Sequence, residues 1–379
     1  MPAVNELPTT QAVPRKGVID LAIGHPALEL LPVDLLRRAA GQALAGSDAS
    51  MLQYGFEQGD GRFRAALASF LSEQYSCPVG PEQLFVSNGV SQALDLICTL
   101  FSRPGDHVLV EEPTYFLALR IFADHGLRVI AVPTDEDGLI LEALEEELRR
   151  RKPAFLYTVP TFQNPGGMTL SESRRERLAE LARKHGFLVL ADEVYHPLAY
   201  RSRPPRAMAC LASDGGVLSL GSFSKILAPG LRLGWVQGSP QPLRRLAQCG
   251  MLDSGGGLNP FVSAVVGSVL ERGMIREHLA GLIGEYGDRS RALASALRAA
   301  LPSGIEVAEP HGGFFVWLAL PPGQDSAKLL PRALARGVSF VPGARFSSRG
   351  SLQNFLRLSF SYYRPDQLAE GAHRLGSLL

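Results

Sequence analysis

From Leu84 to about Gly238, short apolar runs alternate with stretches of helical periodicity, and this alternation constrains the fold more than any other feature. Most of the apolar runs are continuous, which is typical of strands that are covered on both faces. Alternating strands and helices favour a mainly parallel sheet with helices packed on both sides. The predicted strands are Leu84–Val86, His107–Val110, Arg128–Val132, Ala154–Val159, Phe187–Ala191, Val217–Leu220 and Gly234–Gln237.

The segments between these strands are predicted to be helices. In Leu141–Arg151 the leucines fall on one helical face. The charged run in the same segment is interpreted as the solvated face of that helix rather than as a binding patch. Ser173–Lys184 begins with capping-box spacing, from Ser173 to Glu176. A further helix is predicted over Ala93–Phe101.

The character of the chain changes after about Gln241, where long helical patterns run to Ala300. Strand-like segments and a final helix follow, at Phe314–Leu320, Val338–Val341, Phe355–Phe360 and Pro365–Leu379. This order predicts a second, smaller α+β domain, and we expect Ile19–Ala45 to pack with it. The predicted organisation is therefore a flexible N-terminal arm at 1–16, a large domain at 46–285, and a small domain made of 17–45 and 286–379.

The composition argues against several classes of function. The formal net charge of the 379 residues is +1, so no global field would hold the chain on nucleic acid or an anionic membrane. The cysteines, at 77, 98, 210 and 249, form no C-x-x-C pair. We therefore expect no disulfide scaffold, no metal site and a reduced setting. Met1–Lys16 lacks a signal-peptide pattern, and no apolar run approaches the roughly 20 residues that span a bilayer. A soluble, cytoplasmic protein is expected.

Polar residues follow several of the predicted strands. Ser87–Gln92 comes after the first strand and opens a helix, which is the arrangement of an anion site at a helix N-terminus but also of an ordinary strand-to-helix turn. Asn164–Gly167 ends another strand, where Asn-Pro-Gly-Gly also suits a simple turn. Asp192 and Tyr195 follow a buried strand, and an acid at that position faces a ligand or caps a helix.

The most specific segment is Ser219–Trp235, which contains a lysine, Lys225, between apolar and glycine-rich flanks. Serines 222 and 224 precede the lysine and Arg232 follows it. An exposed, solvated lysine is the simplest alternative, but such lysines usually have charged neighbours. Desolvation and the nearby Arg232 would lower the lysine pKa from about 10.4 and favour attack of the neutral amine on a carbonyl.

Taken together and in this order, these motifs resemble those of the class I/II aminotransferases, the fold-type I pyridoxal-phosphate enzymes. The motifs are Asn164-Pro165-Gly166-Gly167, Asp192-Glu193-Val194-Tyr195, and Ser222-Phe223-Ser224-Lys225 with Arg232. The resemblance is greatest to the subgroup of 2-aminoadipate and kynurenine aminotransferases, and it runs from about Val18 to the C-terminus. It implies the fold-type I architecture, with a large α/β domain, a smaller α+β domain and a homodimeric assembly.

The resemblance also implies a site that holds pyridoxal 5'-phosphate. Lys225 would carry the cofactor as a Schiff base and move the substrate proton, and Asp192 would pair with the pyridine nitrogen. Asn164 and Tyr195 would donate to the phenolic oxygen, and Tyr115 would stack on the ring. The residues that match the phosphate cup are Gly89, Val90, Ser91, Ser222, Ser224 and Arg232. Val90 stands where relatives often carry a small hydroxyl residue, so its contact would come from the backbone alone.

Four further positions or segments concern the substrate and the partner subunit. Arg357 lies in an apolar strand pattern, where a charged side chain needs an anionic partner, and it matches the arginine that clamps the substrate α-carboxylate. Tyr54 matches a tyrosine that reaches the phosphate of the neighbouring subunit, although a loop tyrosine without that role is an alternative. Gly24, in Gly24–Pro26, and Ser254–Asn259 are hypothesised to line the substrate entrance; ordinary flexible loops are the alternative.

The predicted activity is transfer of an amino group from an L-amino acid to a 2-oxo acid such as 2-oxoglutarate, with ping-pong kinetics. The donor is of aminoadipate, aromatic or branched-chain type. A pyridoxal-phosphate lyase or synthase that catalyses β-elimination on the same fold is an alternative. A non-enzymatic effector-binding regulator is a weaker one, because the residues before Val18 are too few for a helix-turn-helix and no basic tract is present.

Overall fold

The structure is a computed structural model that describes residues 10–11, 13–45 and 49–379. Of the arm predicted at 1–16, residues 1–9 and 12 lie outside this part, and the remainder is exposed. The strands are β1 (Ile19–Asp20), β2 (Leu84–Ser87), β3 (His107–Glu112), β4 (Arg128–Asp135), β5 (Gly138–Leu139), β6 (Phe155–Thr158), β7 (Leu188–Asp192), β8 (Val217–Ser222), β9 (Gly234–Gln237), β10 (Phe315–Ala319), β11 (Val338–Ser339), β12 (Val341–Pro342) and β13 (Phe355–Ser359). The helices are α1 (Val33–Leu44), α2 (Gly61–Tyr75), α3 (Val90–Phe101), α4 (Phe116–Asp124), α5 (Leu141–Arg150), α6 (Glu172–His185), α7 (Pro240–Ala247), α8 (Gly250–Gly255), α9 (Pro260–Glu271), α10 (Met274–Ala300), α11 (Ser326–Ala335) and α12 (Pro365–Gly376).

The central element is an 8-stranded sheet in the order β2-β9-β8-β7-β6-β3-β4-β5. The strands from β8 through β7, β6 and β3 to β4 run parallel, and β9, β2 and β5 pair with their neighbours in antiparallel fashion. This mixed, mostly parallel sheet with flanking helices confirms the predicted fold class. Each strand predicted between Leu84 and Gln237 is present.

Both faces of the sheet are buried, which explains why its strands are continuous apolar runs. Along β3, Val108 and Val110 join one hydrophobic cluster and Leu109 joins the other. Tyr157 and Leu156 of β6 divide in the same way. Side chains alternate between the faces of a strand, so each parallel strand contributes to two cores.

The carboxyl ends of the parallel strands meet at one edge of the sheet, which is where ligands bind in open α/β sheets. Asp192 is the last residue of β7 and Ser222 the last of β8. The chain leaving β6 leads directly to Asn164. Three of the predicted motifs are thereby brought to the same edge.

The remaining strands form two smaller sheets. β10, β13 and β12 make an antiparallel sheet, and β1 pairs in parallel with β11. Helices α10 and α12 pack on each other, and α1 packs against α9. Residues 19–20 are therefore joined to the C-terminal part, while the helix that follows them lies on α9. The domain boundaries given above stay a prediction.

Two details of the predicted elements are wrong. The single strand predicted over Val338–Val341 is two short strands that pair in different sheets. The capping box predicted from Ser173 to Glu176 is absent, because α6 begins earlier and Glu176 instead accepts a hydrogen bond from Arg206 at 2.9 Å.

The expected reduced state is wrong for one pair of cysteines. Cys77 and Cys210 form a disulfide across 133 positions of sequence, with their Cα atoms 5.9 Å apart. Sequence spacing gives no sign of this pairing, since the fold alone brings α2 beside the segment at Met208–Asp214. Cys98 and Cys249 are free and buried. Among the described residues, no helix is long and apolar enough to cross a membrane.

Candidate active site

Lys225 lies in the turn that leaves β8. The backbone N–H of Ser224 donates to the hydroxyl of Ser222 at 3.1 Å, and the two serine hydroxyls are 2.9 Å apart. These bonds close the chain into a tight turn directly after the strand. As a result, the lysine side chain projects from the carboxyl edge of the sheet.

The amine of Lys225 lies in a largely apolar setting. Its Nζ donates to the carbonyl of Gly24 at 3.1 Å and lies 5.4 Å from the centre of the Phe314 ring. Burial, and then the positive charge of Arg357, lowers the pKa of this amine to about 8, and the carboxylate of Asp192 opposes that shift. Arg232 contributes less than Arg357. About a tenth of the amine is therefore neutral and nucleophilic at pH 7, far more than for an ordinary lysine.

Asp192 is buried at the end of β7 with one oxygen satisfied and one free. Tyr157 donates its hydroxyl to Oδ2 at 2.8 Å, whereas Oδ1 is buried without a hydrogen-bond partner among the described residues. Burial raises the pKa of this carboxyl to about 6, against the opposing hydrogen bond from Tyr157. A buried oxygen of this kind calls for a donor from a bound molecule.

Arg357 lies on β13 and is almost fully buried. Its Nη1 donates to Oδ1 of Asn164 at 2.9 Å and its Nη2 donates to the carbonyl of Ala22 at 3.0 Å, while its Nε has no partner among the described residues. The guanidinium carbon lies 4.1 Å from the centre of the Phe315 ring and 5.1 Å from that of Phe346. Burial lowers the pKa of Arg357 to about 10, so the group remains a cation at neutral pH. This is an anion site that still has an unused donor.

Two tyrosines complete the floor of the site. Burial raises the pKa of Tyr115 to about 12 and holds the pKa of Tyr195 well above its usual value. Both phenols are therefore protonated hydrogen-bond donors at neutral pH. The Tyr195 ring lies 6.0 Å from the amine of Lys225.

The predicted phosphate cup is assembled around Gly89 and Arg232. Gly89 has φ of +85° directly before α3, and a Cβ added there would lie 3.0 Å from Nη2 of Arg232. Arg232 itself has φ of +47°, and its carbonyl accepts a hydrogen bond from Asn259 at 2.7 Å. Gly234 pairs with Ser222, and its own Cβ would lie 2.8 Å from the Cα of Gly89.

The cup therefore combines a helix N-terminus, an arginine and the serines after β8, which together suit a phosphate. Val90 and Ser91 form the first turn of the helix, with Ser91 exposed.

Gly24 belongs to the same site, since its carbonyl contacts Lys225. A Cβ at this glycine would lie 2.9 Å from the Phe315 ring and 3.8 Å from Nη2 of Arg357. Tyr54, by contrast, is 79 % exposed. The contacts described above connect the other predicted site residues to one another, and the place of Tyr54 in the site stays a prediction.

Sequence reasoning missed a buried acid beside the site. Thr158, the N–H of Val159 and the side chain of Gln163 all donate to Glu111, at 2.5, 3.1 and 3.1 Å. Burial raises the pKa of Glu111 to about 7 despite these bonds. Gln163 directly precedes Asn164, so this network fixes the loop that holds Arg357. The available signal was an acid directly after an apolar run, since the predicted strand ended at Val110 and β3 extends two residues further, to Glu112.

Comparison with known proteins decides the family. A model of the aminotransferases of class I and II matches residues 16–375. The chain belongs to this family. An aromatic-amino-acid aminotransferase from Thermococcus litoralis is 36% identical to this aminotransferase over 97% of the chain and 89% of the relative.

Two solved structures are similar over nearly the whole chain. A kynurenine aminotransferase from Pyrococcus horikoshii gives a TM-score of 0.90 at 36% identity, covering 96% of this chain and 91% of the other. The α-aminoadipate aminotransferase LysN from Thermus thermophilus, solved with N-(5'-phosphopyridoxyl)-L-leucine, gives 0.87 at 35% identity, covering 96% and 92%.

The aminotransferase is a pyridoxal-phosphate enzyme that acts on amino acid and 2-oxo acid substrates. The residues present fit this cofactor. The free buried oxygen of Asp192 suits a protonated ring nitrogen, the low-pKa amine of Lys225 suits an aldehyde, and the cup at Gly89 suits a phosphate.

Proposed function

We propose that the enzyme transfers the amino group of an aminoadipate-type, aromatic or branched-chain L-amino acid to a 2-oxo acid such as 2-oxoglutarate, by a ping-pong cycle. One observation carries this proposal. The amine of Lys225 and the guanidinium of Arg357 donate to carbonyls of the same short segment, those of Gly24 and Ala22. A substrate whose α-carboxylate binds Arg357 therefore presents its Cα near the lysine, as amino-group transfer requires.

Bound pyridoxal phosphate supplies an electron sink that stabilises negative charge at the substrate Cα. In our proposal Lys225 would hold the cofactor covalently, and its amine, released when the substrate amine takes its place, would carry the proton from the substrate Cα to the cofactor carbon. Asp192 keeps the ring nitrogen protonated through its free Oδ1. Asn164 and Tyr195 would donate to the phenolic oxygen, and Tyr115 would hold the ring.

The phosphate is assigned to the cup described above. Its proposed ligands are the N–H groups at Gly89, Val90 and Ser91, together with the side chains of Ser222, Ser224 and Arg232. Each charge-assisted hydrogen bond of this type contributes roughly 1.5–3 kcal/mol. Asn259, which sequence reasoning did not place here, fixes the backbone of Arg232.

The substrate side chain is proposed to lie against the rings that surround Arg357. Phe116, Phe315 and Phe346 all lie within 5.9 Å of its guanidinium carbon, measured to the ring centres. An apolar wall of this kind suits aromatic and branched-chain side chains. The names of the relatives, which include aromatic-amino-acid, kynurenine and α-aminoadipate aminotransferases, support the same range.

We also propose a homodimer in which Tyr54 reaches the phosphate of the neighbouring subunit. Tyr54 is flanked in sequence by two other exposed apolar side chains, Leu52 at 68 % and Phe56 at 62 %. The backbone of this segment bridges from Gly55 to Gly257, in the loop between α8 and α9, and Phe261 at the start of α9 is also exposed. Exposed apolar residues grouped in this way are typical of a surface that another chain covers.

A screen of half-reactions tests the proposed function. The purified, cofactor-loaded enzyme is mixed with one L-amino acid at a time, and the absorbance of the lysine-bound cofactor is followed. We expect aminoadipate, aromatic or branched-chain amino acids to discharge that absorbance and 2-oxoglutarate to restore it. Release of pyruvate and ammonia from a β-substituted amino acid without any acceptor would instead establish the elimination alternative.

A further inference from the structure

The inference concerns Arg345, which lies in the short turn at Gly343–Phe346 after β12. Its side chain is exposed and makes no hydrogen bond or ion pair with any described residue. The guanidinium carbon of Arg345 lies 4.5 Å from the centre of the Phe116 ring. Phe116 directly follows Tyr115, so this arginine lies at the rim of the active site.

The turn that carries Arg345 is fixed rather than loose. The N–H of Thr114 donates to the carbonyl of Phe346 at 2.9 Å. Just beyond the turn, the hydroxyl of Ser351 donates to Glu112, the last residue of β3, at 2.8 Å. Both bonds tie the turn to the segment that leads into Tyr115, so the guanidinium is held at a defined place.

The guanidinium groups of Arg345 and Arg357 both lie near one aromatic ring, that of Phe116. The guanidinium carbons lie 4.5 Å and 5.9 Å from the centre of the Phe116 ring, so they are no further apart than the sum of these distances. Arg357 has Asn164 and Ala22 as partners, whereas Arg345 has none in the described part of the chain. Two cations at this separation repel each other unless an anion neutralises them.

A ligand with two carboxylates fits this pair of cations. One carboxylate would bind the buried guanidinium of Arg357 and the other would bind the exposed guanidinium of Arg345. The carbon chain between them would lie along the Phe116 ring. The planar fork of arginine suits a carboxylate at both ends. We propose that Arg345 binds the distal carboxylate of dicarboxylic amino acid and 2-oxo acid substrates. This inference rests on the proposed function, in which Arg357 holds the α-carboxylate.

Binding of an unreactive diacid tests the proposal without catalysis. The holoenzyme is titrated with glutarate and with pentanoate, which has the same chain length but one carboxylate, by calorimetry and by the fluorescence of Trp317, whose ring lies 5.5 Å from that of Phe346. We expect Arg345→Gln to weaken glutarate binding about tenfold and to leave pentanoate binding unchanged. Arg336→Gln removes an exposed arginine elsewhere in the C-terminal part and serves as the control.

Kinetics of the same variants give the second measurement. For Arg345→Gln we expect KM for 2-oxoglutarate to rise about tenfold with little change in kcat, while an aromatic amino acid keeps its kcat/KM. Equal losses for glutarate and pentanoate, no loss for either, or a change in oligomeric state would each overturn the proposal. Failure of the wild-type enzyme to react with any amino acid would instead refute the proposed function, so the two failures are distinguishable.

Discussion

The nucleophilic character of Lys225 depends on which neighbours surround its amine. Desolvation disfavours the charged form, and the nearby cation Arg357 adds to that effect, while the carboxylate of Asp192 opposes it. Arg357 therefore acts twice in the proposed site, because it binds the substrate carboxylate and also keeps the lysine amine partly neutral before substrate arrives.

This arrangement predicts the pH dependence of cofactor capture by the apoenzyme. Only the neutral amine attacks the aldehyde, so the rate should rise about tenfold per pH unit below pH 8 and level off above the pKa of about 8. Arg357→Gln removes a neighbouring cation and should shift the inflection to higher pH. The rate is measured from the growth of cofactor absorbance after mixing at each pH.

Arg336→Gln is the matched control, since it removes an exposed arginine outside the site and should leave the inflection where it is. An inflection near the ordinary lysine pKa of 10.5 in the wild-type protein would contradict the prediction. So would an Arg357→Gln profile identical to that of the wild type.

Site residues that lie in a recognisable sequence motif could be predicted. Residues whose role depends on contacts with distant parts of the chain could not. Lys225, Asp192 and Arg232 could be predicted because each has a recognisable neighbourhood in the chain. Glu111 and Arg345 could not, since the importance of each comes from partners far away in sequence. Glu111 gains its role from Gln163, and Arg345 from a ring that it shares with Arg357.

Between elements, the connection that matters most for the site runs from β3 to the loop after β6. The Gln163 side chain donates to Glu111 and to the carbonyl of Pro113, and its own Oε1 accepts from the N–H of Gly166. Asn164 lies inside this framework and presents its side chain to Arg357. A buried acid on one strand thus orients the loop that follows a neighbouring strand.

Glu111 is therefore predicted to be a positioning residue. Glu111→Ala leaves the N–H of Val159 without its acceptor and removes one acceptor of Gln163, which should lower the free energy of unfolding by about 2–3 kcal/mol. Misplacement of Asn164 should also lower kcat/KM about tenfold. Urea unfolding and steady-state kinetics measure the two effects.

The Glu111→Gln variant distinguishes two roles of Glu111, positioning of the loop that carries Asn164 and supply of a negative charge. Glu111→Gln keeps an oxygen that can accept from the donors and should recover most of the stability and of kcat/KM. A Glu111→Gln variant as impaired as Glu111→Ala would show that the negative charge, rather than the position of the loop, is what the site needs. Unchanged kinetics in Glu111→Ala would refute the positioning role.

The strands of the central sheet could be predicted because burial on both faces leaves a continuous apolar signature. The short strands could not. β1, β11 and β12 have two residues each, too few to show a period, and their partners lie far away in the chain. The error over Val338–Val341 arose in this way, since the continuous segment Val338-Ser339-Phe340-Val341 feeds two different sheets.

At the scale of the whole molecule, features that join distant parts of the chain were beyond the sequence. The Cys77–Cys210 disulfide is one, because nothing in the spacing of the cysteines brings α2 to the segment at Met208–Asp214. Tyr54 is 79 % exposed, and its proposed place at the site of a neighbouring subunit rests on the resemblance together with that exposure.

Subunit complementation tests the proposed place of Tyr54. Tyr54→Ala should weaken cofactor binding, and Lys225→Ala should abolish activity. In a hybrid dimer the chain with Tyr54→Ala keeps its own lysine and receives Tyr54 from the other chain, which leaves one intact site. Random exchange makes half of the dimers hybrids, so we expect about a quarter of wild-type activity at a cofactor concentration that does not saturate the Tyr54→Ala variant.

The control mixes Tyr54→Ala chains with chains that carry both substitutions. No hybrid then has an intact site, and activity should stay at the level of the Tyr54→Ala protein alone. If Tyr54 instead serves the site of its own chain, the first mixture also lacks an intact site and shows no gain. Recovery in the first mixture but not in the second therefore requires that the tyrosine act across the interface, because no other arrangement pairs Lys225 of one chain with Tyr54 of the other.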